Sequence, residues 1–99
     1  MTIVEFLKER LDEDERASKA VPVGSRGRER ALAEVAAKRK ILQGYTEAHT
    51  ASMRILDDSG TAVKVKGDPW SELLAWRLAV KYLAAVYRGH PLYDPTWED

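Results

Sequence analysis

Between Gly67 and Gly89 lies the segment that most constrains how this chain can fold. Wound as a helix it is apolar on nearly every side, with Trp70, Leu73, Leu74, Trp76, Leu78, Val80, Tyr82, Leu83, Val86 and Tyr87 spread around the wheel. Its cations Arg77, Lys81 and Arg88 fall in a narrow arc, because steps of four and eleven residues return close to the same angle. Asp68 is placed to cap this helix and Pro69 to open it, where a missing N–H is no loss. Arg88, Gly89 and Pro91 then give the order of a last-turn cation, a glycine suited to a left-handed C-cap and a proline beyond. The pattern predicts a third helix from Trp70 to Tyr87, and such a cylinder needs cover on several sides.

The preceding sequence offers two amphipathic helices to cover it. Thr2 and Glu5 have the spacing of a capping box, in which each side chain satisfies a backbone N–H left free by the first turn. Ile3, Phe6, Leu7 and Leu11 follow on one face, so about three turns of helix one can be buried. The run Asp12 to Arg16 reads as a solvated helix end supported by Asp12–Arg16 and Glu15–Lys19 pairs, ahead of a docking site for a basic partner. Val21 to Gly27, with Pro22, Gly24 and Gly27, is a linker.

Helix two is expected from about Arg28 to between Ala51 and Leu56, carrying the stripe Ala31, Leu32, Val35, Leu42, Tyr45 and His49. Lys38, Arg39 and Lys40 interrupt the stripe as an edge whose stems cover apolar surface while the charges reach water, a reading preferred to a phosphate site. Gly44 marks a kink or a close-packing point, since glycine there costs about 1 kcal/mol against alanine.

Asp57-Asp58-Ser59-Gly60 is a turn signal, and Thr61 to Lys66 alternates with the period of a strand. A hairpin with Met53 to Leu56 and an irregular loop are equally compatible with this stretch, because an isolated hairpin is marginal in water. The tail Leu92 to Trp97 is aromatic enough that Tyr93 and Trp97 are expected to fold back on the helices, with an exposed binding site as the alternative. The fold class is mainly α: one domain of three helices over the 99 residues, with a hairpin or loop between helices two and three and a folded-back aromatic tail.

Bulk composition narrows the function classes. A chain of this length buries about 60–65% of its unfolded surface, and 44% apolar with 32% charged residues is enough for a core. Sixteen basic and sixteen acidic residues cancel, so no overall field draws in nucleic acid or an anionic membrane. The absence of cysteine removes disulfides and thiol chemistry and fits a reducing compartment. Glu5 interrupts the apolar start, which rules against a signal peptide, and no stretch reaches the ~18 apolar residues of a membrane span. The expectation is a soluble, cytoplasmic protein without a membrane partner.

No catalytic, cofactor or metal-binding residue stands out. His49 and His90 belong to no H-x-x-x-H or H-E-x-x-H spacing, and each reads more simply as a structural residue, on a core stripe and at a helix C-terminus respectively. No nucleophile–base pattern and no glycine-rich phosphate loop is present, and an enzyme with a dispersed site would need a pocket of titratable groups. Arg26, Arg28 and Arg30 are the densest basic cluster and sit where helix two begins, a place suited to a weak anion contact.

Three segments carry a resemblance: Met1-Thr2-Ile3-Val4-Glu5-Phe6-Leu7, the stretch Leu32 to Leu42, and the end Leu83 to Trp97. They resemble a family of small uncharacterised proteins of actinobacteria and their phages, with an M-T-x-x-E-F-L start, an E-V-x-A-K-R-x-I-L helix and an L-A-x-x-Y-x-x-H-P-x-Y-x-x-x-W close. Many members carry cysteine pairs between the last two segments, suggestive of a small metal knuckle. This chain has the Asp57–Gly67 region there and no cysteine, so that role does not carry over.

The first reading is therefore a non-enzymatic interaction protein, a phage or prophage accessory factor that forms a homodimer or meets a host protein. Its expected surface is Trp76, Val80, Leu83, Tyr87, His90, Tyr93 and Trp97. The second is a nucleic-acid-associated regulator using Arg26, Arg28, Arg30 and Lys38 to Lys40, which the charge balance disfavours.

Overall fold

The computed structural model of the chain describes residues 1–57 and 69–98. Among these it contains three α-helices, α1 (Ile3–Lys19), α2 (Arg26–Asp57) and α3 (Pro69–Ala85), then a short 3-10 helix (Pro95–Glu98), and no strand. The mainly helical three-helix arrangement expected from the sequence is what forms. The long α2 is the spine: α1 and α3 both pack along it and meet each other more briefly.

Helix α1 begins as its sequence dictates. The Thr2 hydroxyl accepts from the Glu5 N–H at 3.1 Å, and the Glu5 carboxylate accepts from the Thr2 N–H at 3.4 Å, completing the capping box. Phe6, Leu7 and Leu11 are fully buried, as three turns of apolar face predict. The acidic end of α1 is not simply solvated. Glu15 does pair with Lys19 at 3.9 Å, but Asp12 and Glu15 also hold Arg39 of α2, at 2.8 and 3.5 Å. The run is therefore a tie between two helices. Lys38 is likewise occupied, its ammonium 5.8 Å from the centre of the Tyr87 ring, so two of the three cations that interrupt the α2 stripe hold neighbouring elements.

Helix α2 starts two residues earlier than expected, because Ser25 caps it: its hydroxyl accepts from the Arg28 N–H at 3.2 Å. Gly24, at φ +92°, makes the turn before that cap in a backbone region that favours glycine. At its far end α2 continues through Met53–Leu56 to Asp57, so those four residues are helical and not one arm of a hairpin. No helix breaker intervenes before Asp57, and each further helical residue gains a backbone hydrogen bond. The rest of the anticipated hairpin or loop, with Thr61 to Lys66, lies outside the described residues, as does the expected cap Asp68.

Helix α3 ends at Ala85, before Tyr87. The chain then leaves it through consecutive tight turns, with the N–H groups of Tyr87, Arg88 and His90 bonded to the carbonyls of Ala84, Ala85 and Tyr87. Gly89 keeps a negative φ, so the expected left-handed C-cap does not form; the i→i+3 bonds satisfy the last carbonyls instead. This tightening swings His90, Tyr93 and Trp97 back toward α1. The core lies where they arrive. Phe6, Leu7, Leu11, Leu42, Val80 and Ala84 are buried, with Ile41, Tyr45, Leu83, Tyr87, Tyr93 and Trp97 packed around them.

Gly44 is a close-packing point. A Cβ built there would stand 2.5 Å from the tip of the Trp76 indole, so the ring of α3 lies flush on the α2 backbone. Gly44→Ala should destabilise the fold by about 1–3 kcal/mol through overpacking, outweighing the ~1 kcal/mol gain in helix propensity. In a Trp76→Leu background the same substitution should become neutral or stabilising. Urea denaturation of the four chains measures both effects.

Candidate functional site

Phe6 has no exposed surface and is enclosed by rings from the C-terminal part of the chain. Tyr87, His90 and Tyr93 meet it edge-on at centroid distances of 6.2, 5.7 and 6.0 Å, and Trp97 leans on it at 5.0 Å. One helical turn further along α1, Arg10 lays its guanidinium 5.2 Å from the centre of the same ring.

Arg10 is only 5% exposed, so its charge has to be satisfied inside the protein. One terminal nitrogen stands 2.9 and 2.5 Å from the two ring nitrogens of His90, and the other donates to Glu13 at 2.9 Å. The backbone N–H of Leu92 also donates to His90 Nδ1, at 3.0 Å. A histidine ring accepts at one nitrogen only, and the Leu92 N–H marks Nδ1 as that one, so it is through Nδ1 that His90 accepts from Arg10 and shapes the turn into the tail. Arg10 Nε has no hydrogen-bond partner among the described residues. Further along α1, Tyr87 donates its hydroxyl to Asp14. Burial first, and then that bond and the Asp14 charge, push the Tyr87 hydroxyl above its ordinary value, while the Arg10 charge pulls the other way. In the tail, Asp94 accepts from both the N–H and the hydroxyl of Thr96, at 2.9 and 2.8 Å, which caps the 3-10 helix and holds the Asp94 carboxyl below the usual range.

Within the cluster His90 faces the Arg10 guanidinium and the Leu92 N–H, and Glu13 faces Arg10. His49 is exposed, its ring 6.0 Å from that of Tyr45, in an open groove of about 580 Å³ between α2 and α3. Among the described residues, no group of three or more histidines or carboxylates is placed to hold a metal ion. No described helix is long and apolar enough to cross a membrane.

The basic cluster at the start of α2 does not assemble. Residues two apart lie on opposite sides of a helix, so Arg28 turns inward, half-buried, while Arg26 and Arg30 face out. Arg30 is paired with Glu34 at 3.5 Å. Arg28 Nε is buried with no partner among the described residues.

The expected interaction surface is found mostly on the covered side of the molecule. Val80 is buried, Trp76 lies on Gly44, and Leu83, Tyr87, His90, Tyr93 and Trp97 pack at or around Phe6. The side of α3 that remains open is the opposite one. Leu74, Leu78, Tyr82 and Val86 are 56, 41, 71 and 67% exposed and follow one another every four residues, and Trp70, 47% exposed, continues the row. A row at i±4 is a single ridge on a helix surface. Beside it runs a row of small residues, Ser71, Ala75 and Ala79, and neither row carries a charge.

Phe6, Lys38 and the Tyr87–Trp97 end come from the three segments on which the resemblance rests, and the fold brings them to one place. The whole chain, residues 1–99, matches the family of unknown function DUF6221. The chain belongs to that family. No curated protein and no solved structure matches it. The geometry of this DUF6221 chain separates a closed aromatic cluster from an open apolar ridge.

Two measurements test the cluster. Trp97→Ala should cost about 2–3 kcal/mol, less than the ~3–5 kcal/mol of a fully buried aromatic, and truncation after Pro91 should cost more. An unchanged melting temperature after truncation would show that the tail contributes nothing to the fold. Because the folded state holds the Tyr87 hydroxyl protonated, its contribution is complete below pH 10 and is lost as pH rises beyond it. Unfolding free energy should therefore fall above pH 10, and fall less in Tyr87→Phe.

Proposed function

We propose that this DUF6221 chain is a non-enzymatic interaction protein whose working surface is the outer ridge of α3, from Leu74 to Tyr82, extended by Val86 just past the end of the helix. The observation that carries this reading is the ridge itself: large apolar side chains in one continuous row, exposed while the opposite side of the same helix closes the core. Water-soluble chains rarely leave a contiguous apolar patch of several hundred Å² uncovered, and such patches usually mark association sites. With the actinobacterial or phage setting that the resemblance implies, the reading is of a cytoplasmic accessory factor that acts by presenting a helix face. The reading as a nucleic-acid-associated regulator loses support, since Arg30 is paired with Glu34, Arg39 with Asp12 and Glu15, and Arg28 points inward.

A photoreactive amino acid at position 82 tests the reading in a cell lysate, with position 40, exposed on α2, as the control. Adducts should form from position 82 and be absent from position 40. Equal labelling at both, or none at either, would overturn the assignment of the ridge as the working surface.

A further inference from the structure

The ridge on α3 also indicates what covers it. We infer that its partner is a second copy of this chain, packed across a two-fold axis that passes beside Leu78; this rests on the reading of the ridge as the working surface. A ridge at i±4 fits the groove beside the same ridge on another helix, which makes the face complementary to itself. Here the groove is the row of Ser71, Ala75 and Ala79, whose short side chains leave room for the partner's Leu78 and Tyr82. An antiparallel two-fold near the middle of the ridge sets Leu74 toward the partner's Tyr82 and lets each large residue meet a smaller one. The face is closed by the symmetry, so association stops at two.

Area agrees with this. At the exposures given above, Trp70, Leu74, Leu78, Tyr82 and Val86 offer on the order of 600 Å² per copy, which for two copies reaches the lower end of the ~1,200–2,000 Å² of specific interfaces. Interfaces of that size span micromolar to picomolar affinities, and a dissociation constant of about 10 μM stands for the weak end of that span. Neither row itself carries a charged side chain, so the rows recognise a partner by shape, with Arg77 and Lys81 along one border of the face.

Sedimentation equilibrium of the intact protein at about 100 μM, well above that constant, is the test. The wild-type chain should have a weight-average mass about 1.8 times its 11.2 kDa, and Tyr82→Glu should return it to 11.2 kDa with a melting temperature that matches the wild type at dilutions far below that constant, because Tyr82 is the most exposed residue of the ridge. The sequence has no cysteine, so Leu78→Cys introduces a single thiol. A short bismaleimide should join two copies through it and should not join Lys40→Cys. A monomeric wild type, a dimer that survives Tyr82→Glu, or the absence of a Leu78→Cys cross-link would each overturn the second-copy interface. If the wild type is monomeric yet position 82 still captures a foreign protein, the second copy is wrong and the working surface stands. If it captures nothing, both fail.

Discussion

A single phenyl ring organises this molecule. Phe6 is set one turn into α1 by the Thr2–Glu5 cap, and the C-terminal part of the chain returns to α1 against it: Tyr87 at the exit of α3, His90 in the turn, Tyr93 and Trp97 in the tail. Three of these contacts are edge-on, the arrangement in which the positive rim of one ring meets the negative face of another, at roughly 0.5–1.5 kcal/mol per pair beyond the area buried. The guanidinium of Arg10 lies over the same ring. Its burial would be costly if unmatched, and Glu13 and His90 match it, so the charge fixes where the tail must run. Removing Phe6 would therefore leave both a cavity and a buried cation without its ring.

Around this centre the charges act between helices rather than as a field. Arg39 bridges Asp12 and Glu15, Lys38 sits on Tyr87, and Tyr87 reaches Asp14. Half-exposed pairs of this kind contribute about 0–1 kcal/mol each, too little to hold a fold together. Their effect is on register: an α2 shifted by one turn would leave Asp12, Glu15 and the Tyr87 face without these partners. The balanced sum of sixteen and sixteen is consistent with a protein that spends its charges on itself.

Much of this was legible in the sequence. The capping box, three buried turns of α1, the linker at Gly24, the long α2 and the returning aromatic tail all follow from local signals whose physical cause lies within a few residues. What was not legible depends on what comes near in space. Arg10 carries no signal of its own in the sequence and is set apart only when Phe6 and His90 close over it. Arg39 reads as a snorkelling edge until α1 brings its carboxylates alongside. Gly44 reads as a kink or a contact, and only the Trp76 ring decides between them. Gly89 has the sequence of a left-handed cap, yet the pull of His90, Tyr93 and Trp97 toward Phe6 is served by tighter turns.

The same limit explains why the open face of α3 differs from the one its sequence suggested. A helix apolar all round has almost no periodic signal, so its wheel says that cover is needed without saying where. The direction is set from outside, by Gly44 on α2 admitting Trp76 and by Phe6 on α1 collecting Tyr87. Once those two contacts fix the rotation, Val80 and Ala84 fall inside and Leu74, Leu78, Tyr82 and Val86 necessarily fall outside, since residues two apart on a helix lie on opposite sides. On the proposed reading, stability and association are carried by opposite faces of one helix. The inner face tolerates little change because it is closely packed, whereas the outer ridge can vary in size and polarity without disturbing the fold. A chain with this division can change its outer surface while its core stays the same.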